Sequence, residues 1–230
     1  MSSSTVLITG ANRGIGQGFT KTFLAKPSTT VVVAVRNPEH PTSKALQDLP
    51  KADGSKLVTI QLDSTKPEDA ATAVAKLKSE HGISSLDIVI ANAGIAQDGG
   101  RATADLLQAS KTGNPIFVAI STLIGSIGSM EALAAFPSTH SPYGGSKAEL
   151  NWFIRRLHFE EPWLTSFVFH PGLVETDLAA GAVAKAGVKL ADIGAISVET
   201  SVTAMVSTID KATRDISGTF QNYDGTKLPW

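Results

Sequence analysis

The chain has 230 residues and is 42% hydrophobic, which is enough for an α/β domain with a sizeable core. Its formal net charge of −1 gives no electrostatic footprint for nucleic acid or an anionic membrane surface. The absence of cysteine excludes a disulfide framework, a thiol nucleophile and a cysteine-ligated metal site.

The start of the chain and its hydropathy predict a soluble, cytoplasmic protein. Residues 1–10 (MSSSTVLITG) lack the basic flank and long apolar core of a secretory signal. No apolar run approaches the ~20 residues that are needed to span a bilayer. The histidines lack the spacing of metal ligands, so we expect no metal site.

Short β-rich runs alternate with longer helical runs along the whole chain. The predicted strands lie at 6–8, 30–35, 57–62, 86–91, 116–120, 166–169 and 219–220, and the predicted helices near 15–24, 67–80, 102–110, 148–161 and 198–209. Near-continuous apolar strands separated by helices predict one domain over 1–230, α/β and doubly wound, with a mainly parallel Rossmann-type sheet of about seven strands and helices on both faces. Such sheets bind ligands beyond the carboxyl ends of their strands.

A glycine-rich loop, TGANRGIG at 9–16, follows the first strand. Its spacing differs from the G-x-G-x-x-G fingerprint, but the three glycines can serve the same purposes. Gly10 permits a tight turn, Gly14 lets the backbone approach a pyrophosphate, and Gly16 lets the helix pack close to the strand. The following helix N-terminus offers free N–H groups to phosphates. The loop predicts a dinucleotide site that also includes Asn12, Arg13 and Ile15; the alternative is a merely structural glycine turn.

A cation rather than a carboxylate follows the second strand. A carboxylate at this position would bind the adenosine ribose hydroxyls, whereas Arg36 suits a 2′-phosphate. Arg13 could clamp the same phosphate from the glycine loop. Two arginines with no nearby acid favour NADP(H) over NAD, although either arginine alone could be a solvated surface charge.

The ends of strands three and four carry weaker signals. Asp63, in QLDST, is a candidate cofactor contact and equally a helix or turn cap. Asn92, Ala93 and Gly94 provide small side chains and an amide, which fit a place where the backbone passes close to a flat ligand. Taken alone, this segment could be an ordinary turn.

A tyrosine and a lysine stand four residues apart in SPYGGSK, at 141–147. Residues at this spacing lie on one helical face, so Tyr143 and Lys147 should point into the same cleft. A free phenol has a pKa near 10, and a neighbouring ammonium group favours the phenolate and lowers that pKa. The pair therefore predicts a general acid, with Ser141 as helix N-cap and Pro142 as first helical residue. The alternative is a tyrosine–lysine pair packed on a surface helix.

In this order, the motifs TGANRGIG (9–16), NAG (92–94), YGGSK (143–147) and PG (171–172) resemble the compact short-chain dehydrogenases/reductases. The resemblance covers nearly the whole chain. Within that family, the chain is similar to fungal ketoreductases related to norsolorinic acid ketoreductase and to carbonyl reductases of the C-factor and sniffer type. Each motif alone is loose, but the ordered set is specific.

The resemblance implies a role for each motif. Tyr143 would give a proton to a carbonyl oxygen as hydride arrives from the nicotinamide, and Lys147 would hold the nicotinamide ribose. We expect His170 to be a strand-end histidine with a structural partner rather than a base. The residues implied to bind the cofactor at its nicotinamide end are Tyr143, Lys147, Pro171, Gly172, Val174 and Thr176.

The family usually has an assisting hydroxyl after strand five, in a pattern close to Ser-Ser-x-x-Gly with the second serine catalytic. Here the stretch is STLIG, at 121–125. The spacing to Gly125 assigns the catalytic position to Thr122, which is a departure from serine, although a threonine hydroxyl can also donate. Ser121 should point to the opposite side of the strand and is the second candidate.

One helix of the family pattern has no counterpart between Gly94 and strand five. The interval IAQDGGRATADLLQASKTGNP (95–115) supplies a single helix. A helix with its flanking loops takes about 20 residues, so about that many are absent near 99–101. In the family, the absent helix usually carries an asparagine of the proton relay. Residues omitted from a longer chain and a true deletion both remain open.

These motifs predict NADPH-dependent reduction of a ketone or aldehyde. The resemblance suggests an aromatic polyketide or another bulky hydrophobic carbonyl as the substrate, and a homodimer or homotetramer as the assembly. The rival hypothesis is a catalytically impaired dinucleotide-binding sensor or interaction module on the same fold, because fold alone does not establish chemistry.

Overall fold

The computed structural model describes residues 3–93, 99–134, 141–184 and 189–230, without the side chains of 99–101 and 182–184. The strands are β1 Ser4–Thr9, β2 Thr29–Val35, β3 Lys56–Gln61, β4 Ile88–Ala91, β5 Ile116–Ile120, β6 Thr165–His170, β7 Phe220–Asn222 and β8 Lys227–Leu228. The α-helices are α1 Gly14–Leu24, α2 Pro41–Lys44, α3 Pro67–Ser79, α4 Gly99–Gln108, α5 Ser141–Glu160, α6 Asp177–Ala184 and α7 Val198–Asp210.

The strands form a sheet in the order β3-β2-β1-β4-β5-β6-β7-β8. β1 pairs in parallel with both β2 and β4, β2 with β3, and β6 with β7. β2 is buried along most of its length, as expected of a sheet covered on both faces. The predicted α/β fold with a mainly parallel sheet is confirmed.

Three elements differ from the sequence prediction. β8 is a two-residue strand, antiparallel to β7, and is too short to produce a β pattern in the sequence. α2 has only four residues and begins at Pro41, a residue that suits the first turn of a helix. α6 lies in the Ala- and Gly-rich segment after β6, where helical periodicity is weak.

The chain forms two compact units, Met1–Phe117 and Val118–Trp230, and each is described separately below. The core of the first unit is built from β1, β2 and α1. Val6 and Ile8 of β1 are fully buried, as are Val33 of β2 and Phe19 of α1. The buried carboxylate of Asp87 accepts hydrogen bonds from Thr5 N, Ser110 Oγ, Lys111 N and Thr112 N, which joins β1 to the segment after α4.

In the second unit, hydrogen bonds from residues late in the chain hold both α5 and the turn after β5. The guanidinium of Arg214 donates to the main-chain oxygens of His158 and Leu164, at and just beyond the last turn of α5. Ser126 Oγ donates to Pro229 O at 2.7 Å, and Gly128 N donates to Trp230 O at 2.5 Å. These contacts fix the two elements that carry the candidate proton donors.

Candidate active site

The glycine loop of the first unit is folded as tightly as its sequence predicts. Gly10 and Gly14 have φ angles of +63° and +52°, in the region that glycine tolerates best. A Cβ on Gly16 would lie 2.3 Å from Gly10 O and 2.7 Å from Asn92 Nδ2. α1 begins at Gly14 with Arg13 as its extended N-cap, and no side chain caps it. The N–H groups of its first turn, including that of Ile15, therefore have no acceptor within the helix and can receive a phosphate.

The end of β4 is bonded to the glycine loop. Asn92 Nδ2 donates to Thr9 O at 3.0 Å and to Gly10 O at 3.2 Å. The hydroxyl of Thr9 accepts from the N–H groups of Asn92 and Ala93 at 3.1 and 3.0 Å. The structure thus brings four predicted residues together, Gly10, Gly16, Asn92 and Ala93. Gly94 lies outside the described residues.

Thr9 is a further residue of the candidate site, and the sequence motifs did not predict it. Its signal was its position, at the last residue of β1 directly before Gly10. One hydroxyl there holds two neighbouring N–H groups, which keeps the β4 end against the loop.

Arg36 has an acidic neighbour that the sequence order does not reveal. Its Nε lies 3.6 Å from Asp63 Oδ1, and the arginine side chain is 77% exposed. The two residues meet because β2 and β3 are adjacent parallel strands and each residue follows its strand. The expectation that no acid stands near the two arginines is therefore wrong for Arg36. An exposed ion pair of this kind is weak, so Arg36 stays available to an anion.

Asp63 is held by the segment that follows it. Its Oδ1 accepts from Thr65 N at 3.1 Å and from Thr65 Oγ1 at 2.8 Å. These bonds, with a smaller effect from Arg36, lower the pKa of Asp63 below its usual value. The geometry supports the capping alternative for this residue, while its place beyond β3 leaves the cofactor prediction untested.

In the second unit, Tyr143 and Lys147 lie on one side of α5. Lys147 Nζ lies 6.0 Å from the centre of the Tyr143 ring and donates to Ile120 O at 2.9 Å. Burial lowers the pKa of Lys147 and raises the pKa of Tyr143. The expected lowering of the tyrosine pKa is therefore wrong here, because desolvation raises it and the ammonium group is engaged by the Ile120 carbonyl of β5.

Two glycines let the turn after β5 approach this helix. A Cβ on Gly125 would lie 2.7 Å from Lys147 Cβ, and a Cβ on Gly144 would lie 3.0 Å from Ile124 O. Small residues at both positions therefore permit contact between the helix and the turn. α5 begins at Ser141, one residue before Pro142, which was predicted as the first helical residue. Ser141 is therefore the first residue of the helix rather than its N-cap.

The two candidate hydroxyls after β5 have different surroundings. Ser121 Oγ donates to Asn151 Oδ1 at 2.6 Å, and Asn151 Nδ2 donates to Gly125 O at 3.1 Å. Thr122 Oγ1 accepts from Ile124 N at 3.4 Å and so caps the turn. The Ser121 hydroxyl is thus bonded to a buried side chain of α5. Thr122 remains the predicted assisting hydroxyl.

Asn151 was not predicted as a site residue. It is a buried amide on α5, one helical turn after Lys147 and two after Tyr143. This spacing along one helical face was the available signal. Its two hydrogen bonds tie the β5 end to the helix that carries the tyrosine.

The Pro-Gly segment after β6 is also anchored. Gly172 has a φ angle of +82°, and Pro171 O accepts from Ser201 Oγ of α7 at 2.6 Å. Val174 is buried and forms a parallel bridge with Ile196. Thr176 Oγ1 accepts from Ala179 N at 3.3 Å, at the start of α6. The four predicted residues thus lie in a segment that contacts α7, Ile196 and the start of α6.

His170, the last residue of β6, is half-buried and has one buried ring nitrogen. Its Nδ1 is buried and has no hydrogen-bond partner among the described residues. The expectation of a structural partner is therefore wrong for this atom. Burial disfavours the imidazolium form and lowers the pKa of His170 to about 4.

This shift predicts a loss of stability in acid. Between pH 6.5 and about pH 4 the unfolded chain binds a proton at residue 170 that the native protein does not. The contribution of neutral His170 to the free energy of unfolding is complete above pH 6.5. It decreases as the pH falls through this window, by up to about 3 kcal/mol. We expect His170→Gln to lose less free energy of unfolding than wild type between pH 7 and pH 4.5, measured by urea titration. His81→Gln, at an exposed histidine, should behave as wild type, and an equal loss in His170→Gln would contradict the prediction.

In the described part of the chain, no group of three or more histidine, aspartate or glutamate side chains could hold a metal ion. None of its helices is long and apolar enough to cross a membrane.

Comparison of the sequence with known proteins indicates which family the chain resembles. Residues 4–187 match the family described as short chain dehydrogenase. The norsolorinic acid ketoreductase of Dothistroma septosporum is 38% identical, with 99% of this chain and 92% of the relative covered. That of Aspergillus parasiticus is 37% identical, with 97% and 90% covered. These alignments span 254 and 251 positions, more than the 230 residues of this chain, so the relatives contain residues that this chain lacks.

Solved structures show the same relationship. The NADPH-bound carbonyl reductase from chicken fatty liver has a TM-score of 0.82 and 28% identity, with 100% of both chains covered. The carbonyl reductase Sniffer of Drosophila melanogaster has a TM-score of 0.79 at 24% identity, also over 100% of both chains, and shows the shared fold.

Proposed function

Since the chain belongs to the short-chain dehydrogenase family, we propose that it reduces a ketone or aldehyde to an alcohol with NADPH. The observation that carries the proposal is the placement of Tyr143 and Lys147 on one side of α5, with the turn of Thr122 packed against Lys147 through Gly125. The glycine loop fits a dinucleotide, because a Cβ at Gly16 would fill the space beside Gly10 and the first turn of α1 has free N–H groups.

The roles of the side chains follow from their surroundings. NADPH, when bound, supplies a hydride to the carbonyl carbon. Tyr143 donates its phenolic proton to the carbonyl oxygen, which completes the alcohol and leaves a phenolate for solvent to reprotonate. A phenol has a pKa near 10, and burial raises that of Tyr143 further, so the phenol is protonated at neutral pH, the form that a reduction needs. Thr122 donates a hydrogen bond to the same oxygen. The Lys147 ammonium, which donates to Ile120 O, would also hold the nicotinamide ribose.

A bulky hydrophobic carbonyl, such as an aromatic polyketide, is the proposed substrate. Two curated relatives are named norsolorinic acid ketoreductases. In this chain, exposed apolar side chains follow the candidate residues closely in sequence. Ile127 and Met130 come after Thr122 and are 70% and 61% exposed, and the exposed Leu173 follows Gly172. Such side chains suit an apolar substrate.

The test is NADPH consumption with a panel of quinones, aromatic ketones and aldehydes. We expect turnover of at least one aromatic ketone or quinone, with the alcohol as product. NADPH binding without turnover across the panel would instead support the alternative, a catalytically impaired dinucleotide-binding sensor or interaction module. Light scattering of the same sample tests the predicted homodimer or homotetramer.

We expect Arg36→Asp to change the cofactor preference. The substitution replaces a cation that suits the 2′-phosphate by an anion that repels it and can accept from ribose hydroxyls. The ratio of kcat/KM for NADPH to that for NADH should fall by at least about 30-fold, equivalent to about 2 kcal/mol. The matched control is Arg156→Ala, because Arg156 is an exposed arginine of α5 paired with Glu160. An unchanged ratio in Arg36→Asp would remove the support for NADP(H).

We also propose that a segment of about 20 residues, one helix with its loops, belongs near 99–101 in the natural protein and is omitted from this sequence. The alternative explanation is a true deletion of that segment. The described part of the interval between β4 and β5 contains one helix, α4, where the family has two. Intact-mass measurement of the natural protein distinguishes the two explanations. A mass near 24.0 kDa supports a true deletion, whereas a helix with its loops adds about 20 residues, or about 2 kDa, and supports omission.

A further inference from the structure

The tip of the glycine loop is bonded to a helix that lies 30 residues further along the chain. Asn12, between Gly10 and Gly14, donates from Nδ2 to Thr42 Oγ1 at 2.7 Å. Both side chains are half-buried. This is a side-chain bond between the candidate phosphate loop and α2, an element with no assigned role.

Thr42 belongs to a short chain of hydrogen bonds with a defined direction. Thr42 N donates to His40 Nδ1 at 3.3 Å, so this ring nitrogen is an acceptor and carries no proton. Thr42 Oγ1 lies 2.8 Å from the same nitrogen and must therefore donate its hydroxyl proton to it. The oxygen of Thr42 is then free to accept from Asn12. The proton positions are assigned from this network, which satisfies the Asn12 donor, the Thr42 hydroxyl and the His40 acceptor together.

A fixed tip matters because the loop is otherwise costly to order. Two of its residues are glycines with positive φ, and glycine loses more backbone freedom on ordering than any other residue. If the loop were ordered only when the cofactor arrives, that entropy would be subtracted from the binding free energy. A loop held beforehand by Thr42 avoids this loss.

We propose that Thr42 is a positioning residue for the cofactor, whose hydroxyl holds the Asn12 amide and so preorders the glycine loop. Thr42 acts through Asn12 and needs no contact with NADPH itself. The inference rests on the proposed function for the existence of a cofactor site, and it deepens that proposal by assigning α2 to the same site.

The test compares Thr42→Val with Thr42→Ser in the full chain. Valine keeps the shape and removes the hydroxyl, whereas serine keeps the hydroxyl. We expect Thr42→Val to raise the Kd for NADPH, measured by calorimetry, by about 3- to 10-fold, the effect of losing one ordinary hydrogen bond. Thr42→Ser should stay within about 2-fold of wild type. In turnover, the KM for NADPH should rise and kcat should not change, because the bound loop is the same.

Two controls separate positioning from general stability. Thr72→Val removes an exposed threonine hydroxyl that, among the described residues, bonds within its own helix, to Glu68 O, and it should leave the Kd unchanged. A double-mutant cycle with Asn12→Ala should show that Thr42→Val has no further effect once Asn12 is truncated. A merely structural role would weaken binding equally in both backgrounds.

The possible outcomes distinguish the inference from the proposed function. Wild-type affinity in Thr42→Val, or additive effects in the cycle, overturns the role of Thr42 while the reductase proposal stands. Because Kd is measured without turnover, the result holds even if no carbonyl on the panel is reduced. A wild-type protein that does not bind NADPH overturns both proposals.

Discussion

Replacing Tyr143 by phenylalanine is expected to reduce carbonyl turnover by at least about 100-fold, the lower end of what a positioned general acid contributes. The substitution removes the only group on α5 assigned to deliver the proton. The ring remains, so the contact with the Lys147 ammonium is kept and the helix should fold normally. NADPH affinity should stay within about 2-fold, because the aromatic ring is retained and the lost hydroxyl acts mainly in the transition state.

The control for this variant is Tyr223→Phe, at the second of the two tyrosines in the chain. Its ring packs against Gly172, and phenylalanine preserves that packing. It should therefore retain kcat and KM. The assignment of Tyr143 fails if Tyr143→Phe keeps more than about a tenth of wild-type kcat, since that is less than a general acid supplies. Loss of turnover with unchanged cofactor binding in Tyr143→Phe alone would favour an enzyme over a sensor.

The second large effect is expected for Gly16→Ala. A methyl group there would lie 2.3 Å from Gly10 O and 2.7 Å from Asn92 Nδ2, closer than real Cβ atoms approach. The nearest obstacle is backbone, which cannot rotate away. The start of α1 must then move from the loop, and overpacking of this kind costs about 1–3 kcal/mol.

Two measurements follow from that movement. The melting temperature should fall by about 2–10 °C for a chain of this size. The Kd for NADPH should rise by at least about 10-fold, because the free N–H groups at the start of α1 move away from the position in which they would bind the phosphates. Gly181→Ala is the control: it lies in α6, and none of the described atoms stands within 4 Å of an added Cβ. A Gly16→Ala protein with normal melting and affinity would show that the loop can relax, contrary to the packing described above.

The reductase and sensor hypotheses make different demands on these variants. A sensor requires the glycine loop, so Gly16→Ala and Thr42→Val weaken it, but it has no use for the phenol of Tyr143. An enzyme requires both. The pattern across the variants therefore discriminates more clearly than any one of them does.

Local pattern was sufficient to predict the main architecture and the chemistry-bearing motifs. Apolar strand runs such as TVVVAV and IFVAI specify burial on both faces, because a strand covered by helices on either side can expose no polar stripe. The glycines at 10 and 14 predict a tight loop, since only glycine adopts positive φ without strain. Tyr143 and Lys147 share a face because the helical repeat decides it. Such features depend on neighbours within a few residues, and those are visible in any sequence.

Contacts between distant residues, and the energies that depend on burial, were decided only by the tertiary structure. Asp63 stands beside Arg36 because β2 and β3 are adjacent, which no spacing along the chain reveals. The partnership of Thr42 with Asn12 depends likewise on where α2 returns to the glycine loop. The pKa of Tyr143 moves up rather than down because desolvation of the phenol outweighs an ammonium group that is bonded elsewhere. The strand pattern, the glycine turn and the helical repeat depend on residues that are close in sequence. The hydrogen-bond partners and pKa values of side chains depend instead on which residues the folded chain brings together and removes from water.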